Sequence, residues 1–403
     1  MAELPNISYP TAITVTTPPD DVNYEIGDSF DKTGMVVTLI WSTGETRILP
    51  DTEYTVTPAV FGTVGTQNVT ITYRGTEPYV LTTTQEVLVA TIIPDTWEKM
   101  VRISMSGAAP DFFQVGDVIN DTYTIGTTEY ANPWIVADFQ TVELEDGTTY
   151  DNIPILLMEY LNHETVVFDA PEQTEATEET ASAGHYYYGY KAEGTVYTAL
   201  NLSVGDIIPY EDYDKVFVTL WNSVNAIRYG TNSWKYSYAR QYLNNSGTGW
   251  WQPTHECDVA PSGYESRLGF QSYISDDLVS AIHPIKITTK ESNYMGGRID
   301  YTYDKFWMPS YHEMNLKNGN ISTVDGTPFQ YYKELLESEE TVASGTYEVL
   351  KKYQVNATTS AQWYWVRSAW LGNYYEGNVY SSGDVHYYNP NYAYRLAVAC
   401  AII

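Results

Sequence analysis

The chain closes on Gln362-Trp363-Tyr364-Trp365-Val366-Arg367-Ser368-Ala369, then a window from Trp370 to Tyr394, then Arg395-Leu396-Ala397-Val398-Ala399-Cys400-Ala401-Ile402-Ile403. The flanks have the make-up of packed framework, aromatic and β-branched residues with one Arg on each side. The window differs. Of its 25 residues, 7 are Tyr, 4 Asn, 3 Gly, 2 Ser, 1 Asp and 1 His, whereas 38 Tyr in 403 residues would put only about 2 in a stretch of that size. Tyr supplies rigid contact area with a polar tip, and Ser, Gly and Asn supply adaptable hydrogen bonding, the mixture found in antibody paratopes. The alternative is a Tyr-rich turn-and-strand segment packed on the protein itself. His185-Tyr186-Tyr187-Tyr188-Gly189-Tyr190 shows that Tyr is abundant elsewhere too, so composition alone leaves both readings open.

The window resembles the variable region of the hypermutated proteins of diversity-generating retroelements, whose prototype is the major tropism determinant of a phage. In that family the variable region ends the chain, on a C-type lectin fold of the formylglycine-generating-enzyme type. Adenines in AAC-like codons are randomised there, which reaches Tyr, Asn, Ser, Asp, His and Gly but not Trp, Glu, Lys, Gln or Met. The resemblance implies a variable region over about 363–403. It implies ligand-contacting positions at Asn373, Tyr374, Tyr375, Asn378, Tyr380, Ser381, Ser382, Asp384, His386, Tyr387, Tyr388, Asn389, Asn391 and Tyr392. Trp370 and Glu376 fall to the framework by the same rule. From about Trp97 the chain also resembles an uncharacterised family of lectin-like domains of gut bacteria and their phages, on Trp365-Val366-Arg367-Ser368 and Tyr394-Arg395-Leu396-Ala397.

A chain of 403 residues calls for two or three domains. Residues from about Ile7 to Val89 read as all-β: Ile13-Thr14-Val15-Thr16, Met35 to Ile40, Tyr54 to Thr57, Val69 to Tyr73 and Glu86 to Val89 are β-branched runs. Pro18-Pro19-Asp20, Ile26-Gly27-Asp28, Thr43-Gly44-Glu45 and Gly62 to Gly65 punctuate them, the spacing of a sandwich. Tyr24 to Phe30, Gly34 to Val37 and Gly65 to Tyr73 resemble bacterial Ig-like domains, which implies a spacer or weak surface binder. The expected architecture is therefore an all-β Ig-like sandwich over 1–93 and an α+β C-type lectin fold over 94–403. Ile93-Pro94-Asp95-Thr96 marks the junction, because Pro ends strand pairing.

Within the second domain, Trp97 to Ile103 reads as a short helix or extended entry. Phe113 to Asp117 and Leu202 to Asp206 form a weakly similar pair of turn units. Asp169 to Gly184 is acidic and rich in Thr, Ala and Glu, which predicts a mobile surface loop. Asn232 to Asn245 reads as the best helix, capped by Asn232 or Ser233, with Trp234, Tyr238 and Tyr242 on one face. A second runs from a Ser275 cap to Pro284, and a third, peripheral one covers Phe329 to Glu337.

Fifty-one acidic against 21 basic residues give a formal charge of −30, which repels phosphate backbones and anionic membranes. Nucleic acid is excluded as a partner on that ground. No apolar run reaches the roughly 20 residues that span a bilayer. Met1 to Pro10 shows neither a basic flank nor an apolar segment, so no signal peptide is expected. Cys257 and Cys400 do not make a disulfide framework, and whether they pair is left open.

Catalytic patterns are absent. His255-Glu256-Cys257-Asp258 has metal-ligating residue types, but its spacing suits neither a structural zinc site nor paired helical ligands. Ser310, His312 and Glu313 read as a capped helix start, and Cys400 as a structural thiol. Trp250-Trp251 reads as a core plug in preference to a sugar platform. Asn389-Pro390-Asn391 is half of a lectin-type calcium motif, so no cofactor is assigned and a structural calcium ion is left open. Taken with the resemblances, the expected function is ligand binding without catalysis. The implied partner is a protein or glycan receptor on a bacterial surface, and the implied location a virion surface or a bacterial cell surface. The alternative is a fixed virion or cell-surface module whose Tyr-rich end contacts a neighbouring subunit, with homo-oligomerisation open.

Overall fold

A computed structural model describes residues 8–75, 80–90, 94–317, 319–336, 340–341 and 347–403. The chain is mostly β and divides into two compact units, one running to Phe112 and one covering Phe113–Ile402. The junction expected at 93/94 adjoins residues 91–93, which lie outside the described residues.

In the first unit, strands Pro10–Thr17, Val36–Trp41 and Thr46–Leu49 form one antiparallel sheet. Asn23–Glu25, Val80–Ala90, Gly65–Arg74 and Tyr54–Thr57 form the other, in that order. The five β-branched runs singled out in the sequence lie in these strands, with only Met35 falling one residue ahead of its strand. Their period-two alternation buries Val37 and Leu39 from one sheet and Val69, Ile71, Val87 and Val89 from the other, around Tyr24, Phe30 and Phe61. Trp97–Met105 is a helix, capped by the Thr96 hydroxyl accepting the Lys99 N–H at 3.3 Å. It packs with this unit: Arg102 pairs with Asp28, and a side chain at Gly27 would strike the Arg102 backbone.

A turn motif recurs in both units. Gly27, Gly116 and Gly205 have φ of 86°, 93° and 91°. In each case the following Asp accepts, through Oδ2, the backbone N–H three residues earlier, on Glu25, Gln114 and Ser203, at 2.7, 2.7 and 2.8 Å. Only Gly adopts this φ without strain, and the Asp side chain closes the turn. The similarity between Phe113–Asp117 and Leu202–Asp206 is that of one turn used twice.

Two five-stranded sheets organise the second unit. The first runs Phe306–Trp307, Ala399–Ala401, Thr149–Met158, Trp134–Glu143 and Val118–Ile119, all antiparallel. The apolar C-terminal tail is thus an interior strand, which explains why Cys400 is buried and free. The second runs Val166–Val167, Ala393–Leu396, Tyr364–Ala369, Glu376–Val379 and Val385–Tyr388, with the second and third strands parallel. Every residue of Tyr364–Ala369 is buried, as a strand covered on both faces must be.

Several sequence expectations need correction. Asp169–Gly184 is not a loose loop. Ala176 and Ala181 pack with Tyr187, Ile208, Val216 and Val218, and the buried Asp169 and Glu172 carboxyls are satisfied by Thr231, Thr219 and Trp221, while alternate residues of the segment face outward. The helix expected over Asn232–Asn245 is a 3₁₀ turn, Trp234–Tyr236, followed by an α-helix, Tyr238–Leu243. The cap is Ser237, whose hydroxyl accepts the Arg240 N–H, in place of Asn232 or Ser233. The apolar face is as expected, with Trp234, Tyr238 and Tyr242 buried. The Ser275 cap holds, accepting the Leu278 N–H ahead of helix Asp276–Ser280. Helix Gln330–Leu335 is not peripheral, since Phe329 and Tyr332 are buried; Glu337, its expected end, lies outside the described residues. Trp250 and Trp251 are buried edge-on against Tyr242 and Tyr238, as a plug. Among the described helices none is long and apolar enough to cross a membrane.

Candidate functional site

Three short connections carry the Tyr-rich window, each held by its own backbone. In the first, Trp370 N–H reaches Tyr375 O and Asn373 N–H reaches Trp370 O, each at 3.0 Å; the Asn232 amide then donates to Asn373 O and Tyr375 O. In the second, the hairpin between Glu376–Val379 and Val385–Tyr388 closes through Tyr380 N–H to Asp384 O and Gly383 N–H to Tyr380 O, with Gly383 at φ 88°. In the third, Tyr392 N–H returns to Asn389 O. The loops are therefore fixed by main-chain bonds that do not depend on the exposed side chains.

Beneath them lies a buried frame. Trp365 is fully buried and donates to Val166 O at 3.1 Å. The Tyr311 hydroxyl donates to the carbonyls of Asn378 and His386, pinning both hairpin strands. A Cβ on Gly377 would sit 2.6 Å from the Tyr311 ring, so that ring and that glycine fit only together. Arg367 and Glu313 form a buried ion pair at 2.5 Å, and Ser310 caps the Glu313 turn from both sides. Burial pushes Glu313 and Asp325 up to about 7, and Glu376 well above the usual carboxylate range. Glu376 and Trp365 are thus interior, as expected of framework. Trp370 is half-buried and stacks on Tyr387 at 4.4 Å.

Of the fourteen candidate contact residues, Tyr392 is exposed and twelve (Asn373, Tyr374, Tyr375, Tyr380, Ser381, Ser382, Asp384, His386, Tyr387, Tyr388, Asn389 and Asn391) are partly exposed, with the Oδ1 atoms of Asn389 and Asn391 turned inward. The exception is Asn378. It is fully buried, like every residue of its strand Glu376–Val379, which is covered on both faces, so it cannot touch a ligand. The interleaved Glu376, Gly377, Val379, Gly383, Val385 and Pro390 are buried.

The exposed and half-buried rings form one continuous array. Tyr374 stacks on Tyr229 at 5.2 Å and touches Tyr375 at 4.5 Å; Tyr375 stacks on Tyr387 at 5.3 Å. From Tyr387 the chain of rings passes through His386 and Tyr380 to Trp363, the last pair 3.9 Å apart. Trp363 leads to Tyr394, and Tyr394 to Tyr388 and Tyr392. Tilted and offset rings in such contact hold one another in place. Burial raises the Tyr374, Tyr380 and Tyr394 phenols above their usual range. Tyr375, His386, Tyr387, Tyr388 and Asn389 surround a pocket of about 260 Å³.

Three members of the array were not among the candidates. Trp363 and Tyr394 sit at the edges of the flanks; strand alternation, which puts Trp363 on the same side as Trp365, is a signal for the first. Tyr229 comes from helix Val224–Tyr229, and nothing in the window points to it. A larger cleft of about 580 Å³ adjoins the array, lined by Trp221, Asn222, Asn293, Tyr294 and Arg298 among others. Tyr374 packs against the Trp221–Met295 cluster, and Asn293 N–H donates to Leu371 O. The Arg298 guanidinium lies 4.7 Å from the Trp221 ring and is held by two 3.0 Å bonds to Glu291.

Residues 17–89 match the family model of the bacterial Ig-like domain (group 3), so the N-terminal Ig-like domain expected from sequence is present. Residues 213–402 match that of a domain of unknown function, DUF6273. The chain thus pairs an Ig-like domain with a C-terminal domain whose family carries no assigned function. Strands Trp134–Glu143 and Thr149–Met158 lie outside this second match, although they complete the sheet that its last strand enters. No curated protein matches the chain.

Proposed function

We propose that the C-terminal unit is a receptor-binding module on a C-type lectin-like scaffold, diversified by a retroelement. It would sit on a virion or a bacterial cell surface and engage a protein or glycan receptor of a bacterium. The observation that carries this reading is the separation of roles along the window. Residues of the variable type keep solvent exposure at thirteen of fourteen positions, on three short connections and the strand Val385–Tyr388, while Glu376, Gly377, Val379, Gly383, Val385 and Pro390 between them are buried. Such a surface can change its side chains without changing its fold. Recognition would be by contact: the rings supply area at low entropic cost, and Asn, Ser, Asp, His and the phenol tips supply directional hydrogen bonds. The Ig-like domain would act as a spacer.

Replacing Tyr374, Tyr387 and Tyr388 together by Ala tests this. Binding of the labelled full chain to cells of a panel of gut bacteria is expected to fall at least ~30-fold, the effect of losing one or more central aromatic anchors. The melting temperature is expected to stay within a few degrees of the parent. A collapse in stability would make these rings core, and retained binding would move the ligand elsewhere. A subunit contact would instead show as a parent oligomer that the triple variant dissociates.

A further inference from the structure

Glu172, His255 and Asp258 converge from two segments of the second unit, with one ligating atom from each within 4.8 Å of the others. Their side chains are 4–8% exposed. His255 Nε2 is 3.0 Å from Asp258 Oδ1 and 3.4 Å from Glu172 Oε1, yet it is buried and makes no hydrogen bond of proper geometry to either. The 3.4 Å separation matches an edge of a tetrahedral zinc site, and the 3.0 Å one falls slightly short of it. Nitrogen and oxygen ligands about 2.0–2.2 Å from a tetrahedral zinc ion stand roughly 3.3–3.5 Å apart.

Each ligand is oriented from behind. Glu172 accepts from Thr219 Oγ at 2.6 Å and from Trp221 Nε1 at 2.7 Å. Asp258 Oδ2 accepts the Thr254 hydroxyl at 2.7 Å and the Thr254 and His255 N–H groups, which turns Oδ1 toward the imidazole. Nδ1 of His255 faces the Cys257 N–H at 3.2 Å, and the ring packs edge-on to Tyr236. Such outer contacts are what hold metal ligands in position.

We propose that Glu172, His255 and Asp258 bind a divalent first-row transition ion, zinc by preference, with water completing the shell. The mixed imidazole and carboxylate donor set suits zinc or manganese, whereas calcium and magnesium take oxygen ligands. Loading releases the Nε2 proton to solvent, and Nδ1, which now faces the Cys257 N–H, would keep the remaining ring proton after a small rotation of the ring. The ion is structural. It joins the Asp169–Gly184 segment to residues 251–269, which have no helix or strand of their own. Through Trp221 it also sets one wall of the 580 Å³ cleft. The spacing of His255 and Asp258 did not suggest this, because the third ligand lies far away in sequence, in a segment that reads as a loose loop.

The test uses the full chain, stripped with EDTA and titrated with ZnCl₂, MnCl₂ and CaCl₂ while heat of binding and melting temperature are followed. The expected result is ~1 zinc per chain, a melting temperature several degrees higher with zinc, a weaker effect of manganese and none of calcium. Glu172→Gln keeps the shape of the side chain, and it and Asp258→Asn should each weaken zinc binding at least tenfold. His185→Ala, which removes the neighbouring His185–Glu256 pair, should leave it unchanged. Cobalt loading gives a readout independent of variant folding: tetrahedral absorption bands should appear in the parent protein. Absence of stoichiometric zinc in the parent, or equal binding by Glu172→Gln, would overturn the assignment and leave a buried ion-paired histidine.

Discussion

Trp365→Ala is expected to cost the C-terminal unit roughly 3–5 kcal/mol, the range for deleting a fully buried Trp or Phe side chain. The indole has no exposed surface, lies 6.1 Å from Phe168 and 4.7 Å from Tyr394 between ring centres, and donates to Val166 O. Its loss opens a cavity, leaves that carbonyl without its donor, and removes the floor under Tyr394, through which Trp363, Tyr388 and Tyr392 are linked. Urea denaturation should show the midpoint falling with little change in slope. Trp365→Phe should recover part of the loss, since it refills most of the volume but cannot donate. An unfolding curve unchanged by Trp365→Ala would contradict the placement of this residue in the frame.

Arg367→Met should be comparably damaging, for an electrostatic reason. The guanidinium is buried beside Glu313, touches Asp325 O with both terminal nitrogens, and shares its surroundings with the carboxyls of Asp325 and Glu376. Removing one partner of a buried pair typically costs roughly 3–5 kcal/mol, because the other charge stays in low dielectric without compensation. Lys would not substitute, since one ammonium cannot reach both Glu313 and the Asp325 carbonyl in the planar arrangement Arg uses. Removing both partners separates the mechanisms. Arg367→Met with Glu313→Leu should recover most of the stability if the penalty is the stranded carboxylate, and none if the damage is lost packing. The four variants of this cycle, compared by denaturant midpoint, give the coupling directly.

The first unit was legible almost strand by strand. Its β-branched runs alternate with period two and end at Gly and Pro turns, and such local signals survive folding. The short strands Asn23–Glu25 and Thr46–Leu49 escaped notice because three or four residues carry too little periodicity. In the second unit the framework role of Trp365 and Glu376 could be read, as could the buried faces of Trp234, Tyr238 and Tyr242. The packing of Asp169–Gly184 could not. An acidic segment looks solvated until partners distant in sequence, Thr219, Trp221 and Thr231, supply the hydrogen bonds that its buried carboxyls need. Asn378 failed for a related reason. Composition marks it as a surface residue, but both faces of its strand are covered, and what covers a sheet is a long-range property. The array itself was half visible. Its members within the window could be listed, whereas Tyr229 and the cleft around Trp221 and Arg298 enter only through tertiary contact.

Sequencing this gene across its source population tests the central claim most directly, because it needs no knowledge of the ligand. Substitutions concentrated at the thirteen surface positions, with Trp365, Arg367, Glu376, Gly377 and the buried Asn378 constant, are the predicted result. They would mark the aromatic array as a variable surface on an invariant frame. Substitutions spread evenly along the gene, or variation that falls on the buried frame as readily as on the exposed rings, would contradict it.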